Sequence, residues 1–352
     1  MVRHGAAFRR GEGPKKLPTE PNPAGLGPDP TMTYVSPEGN RDIALLLLFA
    51  PRGVVEMRCA PPSSTEVVAE SWLDDRVLEL KLRSASLQRV VTVALLTPRD
   101  WNARGNRRWP TLYFLHGADD GPDCWIHKTD LPARAAELDA LVVLPEAGPM
   151  GFYSDWLGPD SHGVVPRWES FHLGELPAVL AQRYAAGGPR AVAGVSMGGH
   201  GAIRYAARHP GLFTVAVSYS GLLHTTRAGM SALIGWLMVR QRERPFALWG
   251  SPWRSRQRWR AHDPYHLASA LRGTRVLLTA GTGRPAPGDP RVRGSGLMEA
   301  VVAASTADLA GRLAALGMPA QLLRVPGTHD WPTWQRALER SWPFVADALK
   351  VA

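Results

Sequence analysis

Cysteine is scarce in this 352-residue chain: there are two, Cys59 and Cys124. They show no C-x-x-C spacing, and no cysteine or histidine set stands near them to build a zinc site, so neither metal nor cofactor is expected. A Cys59 to Cys124 disulfide and two free thiols both stay open, with free thiols the commoner outcome in a domain this large. Long apolar runs are also missing. The longest near the N-terminus, Ile43 to Ala50, falls far short of the roughly 20 residues that cross a bilayer. It follows Arg41, but Arg52, Glu56 and Arg58 occupy the place of a signal-peptide cleavage site, so it makes a weak signal peptide. The net charge of +10 is carried by scattered arginines without any tract of five like charges, which argues against a nucleic-acid-binding tail.

Residues 1–40 are rich in Gly, Pro and charge and lack apolar periodicity, so they cannot offset their own ordering entropy and are expected to be disordered. Residues 41–75 read as an extension of undefined structure, and 76–352 as the folded domain. From Arg76 the pattern changes. Leu78, Leu80 and Leu82 alternate with Glu79 and Lys81, and Val90 to Leu96 is a β-branched apolar run. Short apolar runs recur at 112–115, 141–144, 191–195, 215–219, 275–279 and 321–325. Between them lie stretches of helical periodicity at 168–184, 197–208, 297–316 and 334–349. Strands alternating with helices predict an α/β fold, a mostly parallel eight-stranded sheet covered by helices on both faces. A lid-like insert at about 224–262 interrupts the alternation.

The chemistry centres on Gly194-Val195-Ser196-Met197-Gly198-Gly199, directly after one strand and directly before a helix. A nucleophilic serine must project from a sharp, strained strand-to-helix turn, and its flanking residues must be glycine because side chains there would strike neighbouring backbone. A serine hydroxyl needs a base, usually a histidine oriented by a carboxylate, in chain order Ser, acid, His. His329 suits the base, since Pro326-Gly327-Thr328-His329-Asp330-Trp331 follows the last strand. Asp289 is the first choice for the acid, in the loop after the 275–279 strand. Glu299, the next carboxylate, is the rival at the start of the following helix. Oxyanion donors are expected from the amide after the nucleophile, Met197, and from Ala118 in Leu115-His116-Gly117-Ala118.

These residues resemble the esterase D and mycolyltransferase group of α/β-hydrolases, which includes the antigen-85 proteins. The resemblance covers about 111–344. It rests on Leu115-His116-Gly117, on Leu144-Pro145 with Phe152-Tyr153-Ser154-Asp155-Trp156, on Trp168-Glu169-Ser170-Phe171 with Glu175-Leu176-Pro177, on the serine turn and on Gly327-Thr328-His329-Asp330-Trp331. It implies the α/β-hydrolase fold, a serine, acid and histidine triad, no metal, acyl-ester substrates and secretion; without an operating signal peptide the chain would be cytoplasmic. The mycolyltransferases hold trehalose with the Asp and Arg of an Asp-Gly-Leu-Arg run. Here the run is His116-Gly117-Ala118-Asp119, which points away from trehalose while leaving His116 and Asp119 as substrate-binding candidates. Trp331 stands where those enzymes place a tryptophan after the catalytic histidine, a wall of the pocket.

The insert holds eight arginines and one acid, Glu243, between Arg227 and Arg260, interleaved with Trp236, Trp249, Trp253 and Trp259. A lid that settles on a lipid or envelope surface and a plain insert packed by its own tryptophans both fit. The expected partner is a small-molecule or lipid acyl ester, with no nucleic acid. A non-catalytic binding protein on the same fold is the alternative from another class.

Overall fold

The structure, a computed structural model, describes residues 65–347 and 349. The expectations for residues 1–40, for most of the 41–75 extension and for Cys59 fall outside that range. Nine strands form one sheet: β1 (Glu66–Asp74), β2 (Val77–Ser84), β3 (Arg89–Leu96), β4 (Trp109–Leu115), β5 (Leu141–Pro145), β6 (Ala186–Val195), β7 (Val215–Tyr219), β8 (Arg275–Gly281) and β9 (Gln321–Val325). Their order is β1-β2-β3-β5-β4-β6-β7-β8-β9. The pairings from β5 to β9 are parallel, and β1, β2, β3 and β5 pair antiparallel with one another in turn. This is the α/β-hydrolase fold. All eight expected strands are present, and β1 is an addition at the edge.

Period-two alternation divides the core into two layers. On β4, Trp109, Tyr113 and Leu115 join the layer that packs under the Leu176–Arg183, Met197–Arg208 and Ser295–Ala315 helices. Leu112 and Phe114 face the other layer, closed by Trp125, Leu131, Trp334, Ala337 and Leu338 from the Cys124–Lys128, Leu131–Ala135 and Trp331–Asp347 helices. Truncating a side chain as deeply buried as Phe114 costs about 3–5 kcal/mol. Cys124 lies in this second layer as a free, buried thiol, whose pKa burial pushes up.

The predicted helix at 168–184 contains a π turn at Phe171–Glu175, which delivers Glu175 to the edge of the sheet. Its carboxylate accepts from Ser84 Oγ at 2.7 Å and Ser86 N at 2.7 Å, tying the helix to β2. The insert between β7 and β8 carries helices Met230–Arg240 and Arg256–Ala261. Parallel strands present their C-terminal ends on one side of the sheet. The loops after β4, β6, β7, β8 and β9 therefore converge there, and the predicted site residues lie on them.

Candidate active site

Ser196 follows β6 with φ 53° and ψ −114°, and its amide donates to Tyr219 O of β7 at 2.8 Å. A non-glycine residue at positive φ is strained, and the surrounding backbone holds it there. The glycines on either side leave no room for a methyl group. A Cβ on Gly194 would lie 2.3 Å from Gly198 O, one on Gly198 2.4 Å from Leu115 O, and one on Gly199 2.6 Å from Ser218 Oγ. The crowding expected at this turn is thus present.

Ser196 Oγ lies 2.9 Å from His329 Nε2. On the far side of the ring, Nδ1 lies 2.8 Å from Glu299 Oε2. Glu299 is fully buried on the second turn of the Ser295–Ala315 helix. Its other oxygen accepts from Ser220 Oγ at 2.8 Å and from the amide of Gly281, at the end of β8. A Cβ on Gly281 would press on Glu299 Oε1 at 3.0 Å, so glycine is what lets the carboxylate reach the strand end. With Oε1 held by two donors, Oε2 is left to accept from Nδ1–H. That fixes the tautomer in which Nε2 is the acceptor facing the serine.

The first choice for the acid, Asp289, is corrected by this geometry. Its carboxylate accepts a bidentate pair from Arg336, at 3.0 and 2.5 Å, and a hydrogen bond from the Ala286 N–H at 3.0 Å. The Arg336 guanidinium holds its carboxyl below the ordinary range. Asp289 therefore staples the loop after β8 to the last helix, away from the imidazole. The rival, Glu299, occupies the position beside the ring.

The histidine loop is itself braced. Gly327 has φ 135°, and a Cβ there would overlap Thr333 Oγ1 at 1.9 Å. Asp330 accepts from Thr328 Oγ1 at 2.6 Å and from Thr333 Oγ1 at 2.7 Å, and caps the Trp331–Asp347 helix through Thr333 N. Trp334 packs edge-on against His329 at 5.1 Å. Trp331, the expected pocket wall, is half-buried against Trp125 and Trp334, with Lys128 Nζ 5.0 Å above its ring.

The loop after β4 passes close to the serine: a Cβ on Gly117 would sit 3.6 Å from Ser196 Cβ. Ala118 follows directly, and Met197 opens the helix, where the first N–H groups have no partner within the helix. Both ring nitrogens of His116, expected to bind substrate, are taken up by backbone. It is buried, its Nε2 accepts from Ala147 N at 2.8 Å, and its Nδ1 donates to Gly117 O at 2.7 Å. Desolvation lowers its pKa. Asp119 is exposed at φ 65° and accepts from Gln241 at the end of the first insert helix.

The Phe152-Tyr153-Ser154-Asp155-Trp156 run forms a brace behind the elbow. Phe152 and Tyr153 both have positive φ. Tyr153 Oη donates to His116 O at 2.9 Å, and Ser154 Oγ accepts from Trp249 Nε1 at 3.0 Å. Glu169 gathers Arg204, Arg208 and His209 around one buried carboxylate, and Arg204 also donates to Tyr153 O at 2.7 Å. The insert tryptophans divide. Trp249 and Trp259 are buried against each other at 5.1 Å, whereas Trp236 is 56% and Trp253 80% exposed. A cleft of about 370 Å³ opens between Met150–Gly151, Trp156 and Trp168 on one side and Gln241–Glu243 of the insert on the other, and neither Ser196 nor His329 lines it.

Comparison with known proteins bears on the family and the fold. Residues 84–345 match the family model described as "Putative esterase". Esterase Rv1288 of Mycobacterium tuberculosis (strain ATCC 25618 / H37Rv) is 31% identical over 274 residues, which are 75% of this chain and 58% of that protein. The chain thus spans little more than half the length of that relative. The diacylglycerol acyltransferase/mycolyltransferase Ag85A of the same strain is 30% identical over 256 residues, covering 70% of this chain and 75% of that protein. Among solved structures, Mycobacterium tuberculosis MPT51 (FbpC1) superposes with a TM-score of 0.64 at 24% identity, covering 82% of this chain and all of the other. The fluorophosphonate-binding serine hydrolase FphF of Staphylococcus aureus gives 0.61 at 19% identity, covering 77% and 98%. At these identities the two structures speak for the fold.

Proposed function

The chain belongs to this esterase family of α/β-hydrolases, and on that premise we propose that it is a serine esterase or acyltransferase that works on acyl esters through an acyl-enzyme on Ser196. The observation that carries the reading is the continuous relay from Ser196 Oγ through His329 to the buried Glu299, with both links under 3 Å.

In the first half-reaction Ser196 Oγ attacks the ester carbonyl carbon while its proton passes to His329 Nε2. The imidazolium so formed is stabilised by the Glu299 carboxylate. The Met197 and Ala118 amides are the oxyanion donors, at the helix start and in the loop that crosses the serine. Collapse of the tetrahedral intermediate expels the alcohol, which takes the proton from Nε2 and leaves the acyl group on Ser196. Water or an acceptor alcohol then repeats the sequence in reverse, giving free acid or a new ester and restoring the serine.

Hydrolysis is favoured over transfer to trehalose. Transfer requires the sugar to be held closely enough to outcompete water. The two positions that resemble the sugar contacts of the mycolyltransferases carry a buried imidazole, His116, and an anion, Asp119. The exposed Trp236, Val239, Phe246 and Trp253, set among Arg240, Arg242, Arg244 and Arg254, support a lid face that rests on anionic lipid carrying the ester.

The test is turnover of a short p-nitrophenyl ester. Ser196→Ala and His329→Ala should each lower kcat by at least about a thousandfold with an unchanged circular dichroism spectrum. Either variant retaining near wild-type turnover would remove the reading.

A further inference from the structure

We propose that His224, Asp263 and His266 form a divalent-metal site of the zinc class, which clamps the two feet of the insert together. One ligand atom from each of the three lies within 4.8 Å of those of the other two. Two imidazoles and one carboxylate form a donor set suited to Zn²⁺ and its borderline neighbours, with a fourth position left open.

The surroundings of each ligand are those of a metal site. His224 Nδ1 is 2.8 Å from Asp308 Oδ2, so the ring donates there and its Nε2 keeps a free lone pair. A carboxylate behind a histidine in this way fixes the tautomer and raises the basicity of the other nitrogen. The ring is also held flat against Tyr265, 4.0 Å away at 11°. Asp263 is fully buried. Its Oδ2 accepts from Thr226 N at 2.9 Å and Thr226 Oγ1 at 2.7 Å, and its Oδ1 from Tyr265 N at 3.1 Å. Those three bonds leave one of the roughly four acceptor sites of the carboxylate unused. His266 is exposed, and its Nε2 lies 3.1 Å from Thr226 Oγ1, on the same side as the Asp263 carboxylate that Thr226 bonds.

Position in the chain gives the site its meaning. His224 stands at the start of the insert, and Asp263 and His266 directly follow its end. The feet already touch through Tyr265 N and Leu223 O at 3.0 Å. A metal there would fix where the lid leaves and rejoins the hydrolase sheet. The site borders a polar cleft of about 440 Å³ lined by Trp253, Trp259, Arg256 and Arg260. The arginines oppose an uncompensated cation, so the open position should take water or a small anion from that side.

The experiment uses the full chain stripped with chelator and dialysed, then titrated with ZnCl₂ by calorimetry and with CoCl₂ by absorption. One equivalent should bind with a Kd in the micromolar range or tighter, the cobalt form should show tetrahedral visible bands, and saturating zinc should raise Tm by at least about 3 °C. His266→Ala, at an exposed position, should lose this binding while keeping the fold. Asp308→Asn should weaken it by about 10- to 100-fold, and His127→Ala, remote and exposed, should leave it unchanged. No binding at 100 µM zinc, or an equal site surviving in His266→Ala, would overturn the proposal. None of these readouts depends on esterase turnover.

Discussion

Replacing Glu299 with glutamine keeps the shape of the buried side chain and removes its charge. Glutamine Oε1 can still accept from Ser220 Oγ and the Gly281 amide, as Glu299 does now. Its NH₂ then faces His329 Nδ1, which must become the acceptor and turn Nε2–H toward the serine, the wrong tautomer for a base. The charge matters as well. A carboxylate and an imidazolium with charge centres about 4 Å apart attract by about 4 kcal/mol at an effective dielectric of about 20, which is roughly a thousandfold in rate. Glu299→Gln should therefore lower kcat on p-nitrophenyl acetate by about 10³- to 10⁴-fold, with KM and Tm changing little. Asp289→Asn breaks the ion pair with Arg336 and should leave kcat within about threefold of wild type. Stopped-flow or initial-rate assays at pH 7.5 separate the two outcomes easily. If Asp289→Asn proves the crippled enzyme and Glu299→Gln the active one, the relay described above is wrong.

Further expectations concern stability and substrate. Burial lowers His172 and His200 to about 3, so both take up protons only on unfolding. Each should then cost stability at about 1.4 kcal/mol per pH unit as pH falls from about 6.5 toward 3, with no effect above 6.5; urea midpoints at pH 7.5, 5.5 and 4.5 should fall in that order, and a flat series would contradict it. Gly198→Ala drives a methyl into Leu115 O and should cost both folding yield and turnover, whereas Gly311→Ala, in open space on the Ser295–Ala315 helix, should stabilise by about 0.5–1 kcal/mol in thermal melts. Given an activated acyl ester and millimolar trehalose, the enzyme should release free acid; abundant trehalose ester would refute the acceptor argument. Joint Arg→Ala changes at Arg240, Arg242 and Arg244 should slow hydrolysis of esters in anionic vesicles more than of soluble esters, and equal effects on both would dismiss the lipid-facing lid.

The sheet was largely readable from the sequence because central strands such as β4, β5, β7 and β8 are buried on both faces and appear as short apolar runs between helical patterns, while β2 shows plain alternation. Strand β1 was not: Glu-Val-Val-Ala-Glu-Ser-Trp-Leu-Asp has no alternation, and in the structure the edge leaves most of it exposed. The serine and histidine could be placed because each sits in a turn whose glycines are dictated by crowding at fixed offsets. The acid could not be decided, because nothing local distinguishes a loop aspartate that meets an arginine 47 residues later from a helical glutamate that meets a strand end 18 residues earlier. The backbone bonds of His116 were hidden for a related reason. A histidine at the mouth of a substrate loop and one that bonds the backbone beneath it have the same sequence. The metal-ligand candidates share no motif, since the insert separates His224 from Asp263 by 39 positions.

Whether Ser196 is an activated nucleophile can be read out by mass spectrometry of the chain after incubation with a fluorophosphonate. One adduct per chain is expected, on the peptide that carries Ser196, formed rapidly in wild type, far more slowly in Glu299→Gln, and not at all in Ser196→Ala. A folded wild-type chain that stays unlabelled, or one labelled at another residue, would contradict it.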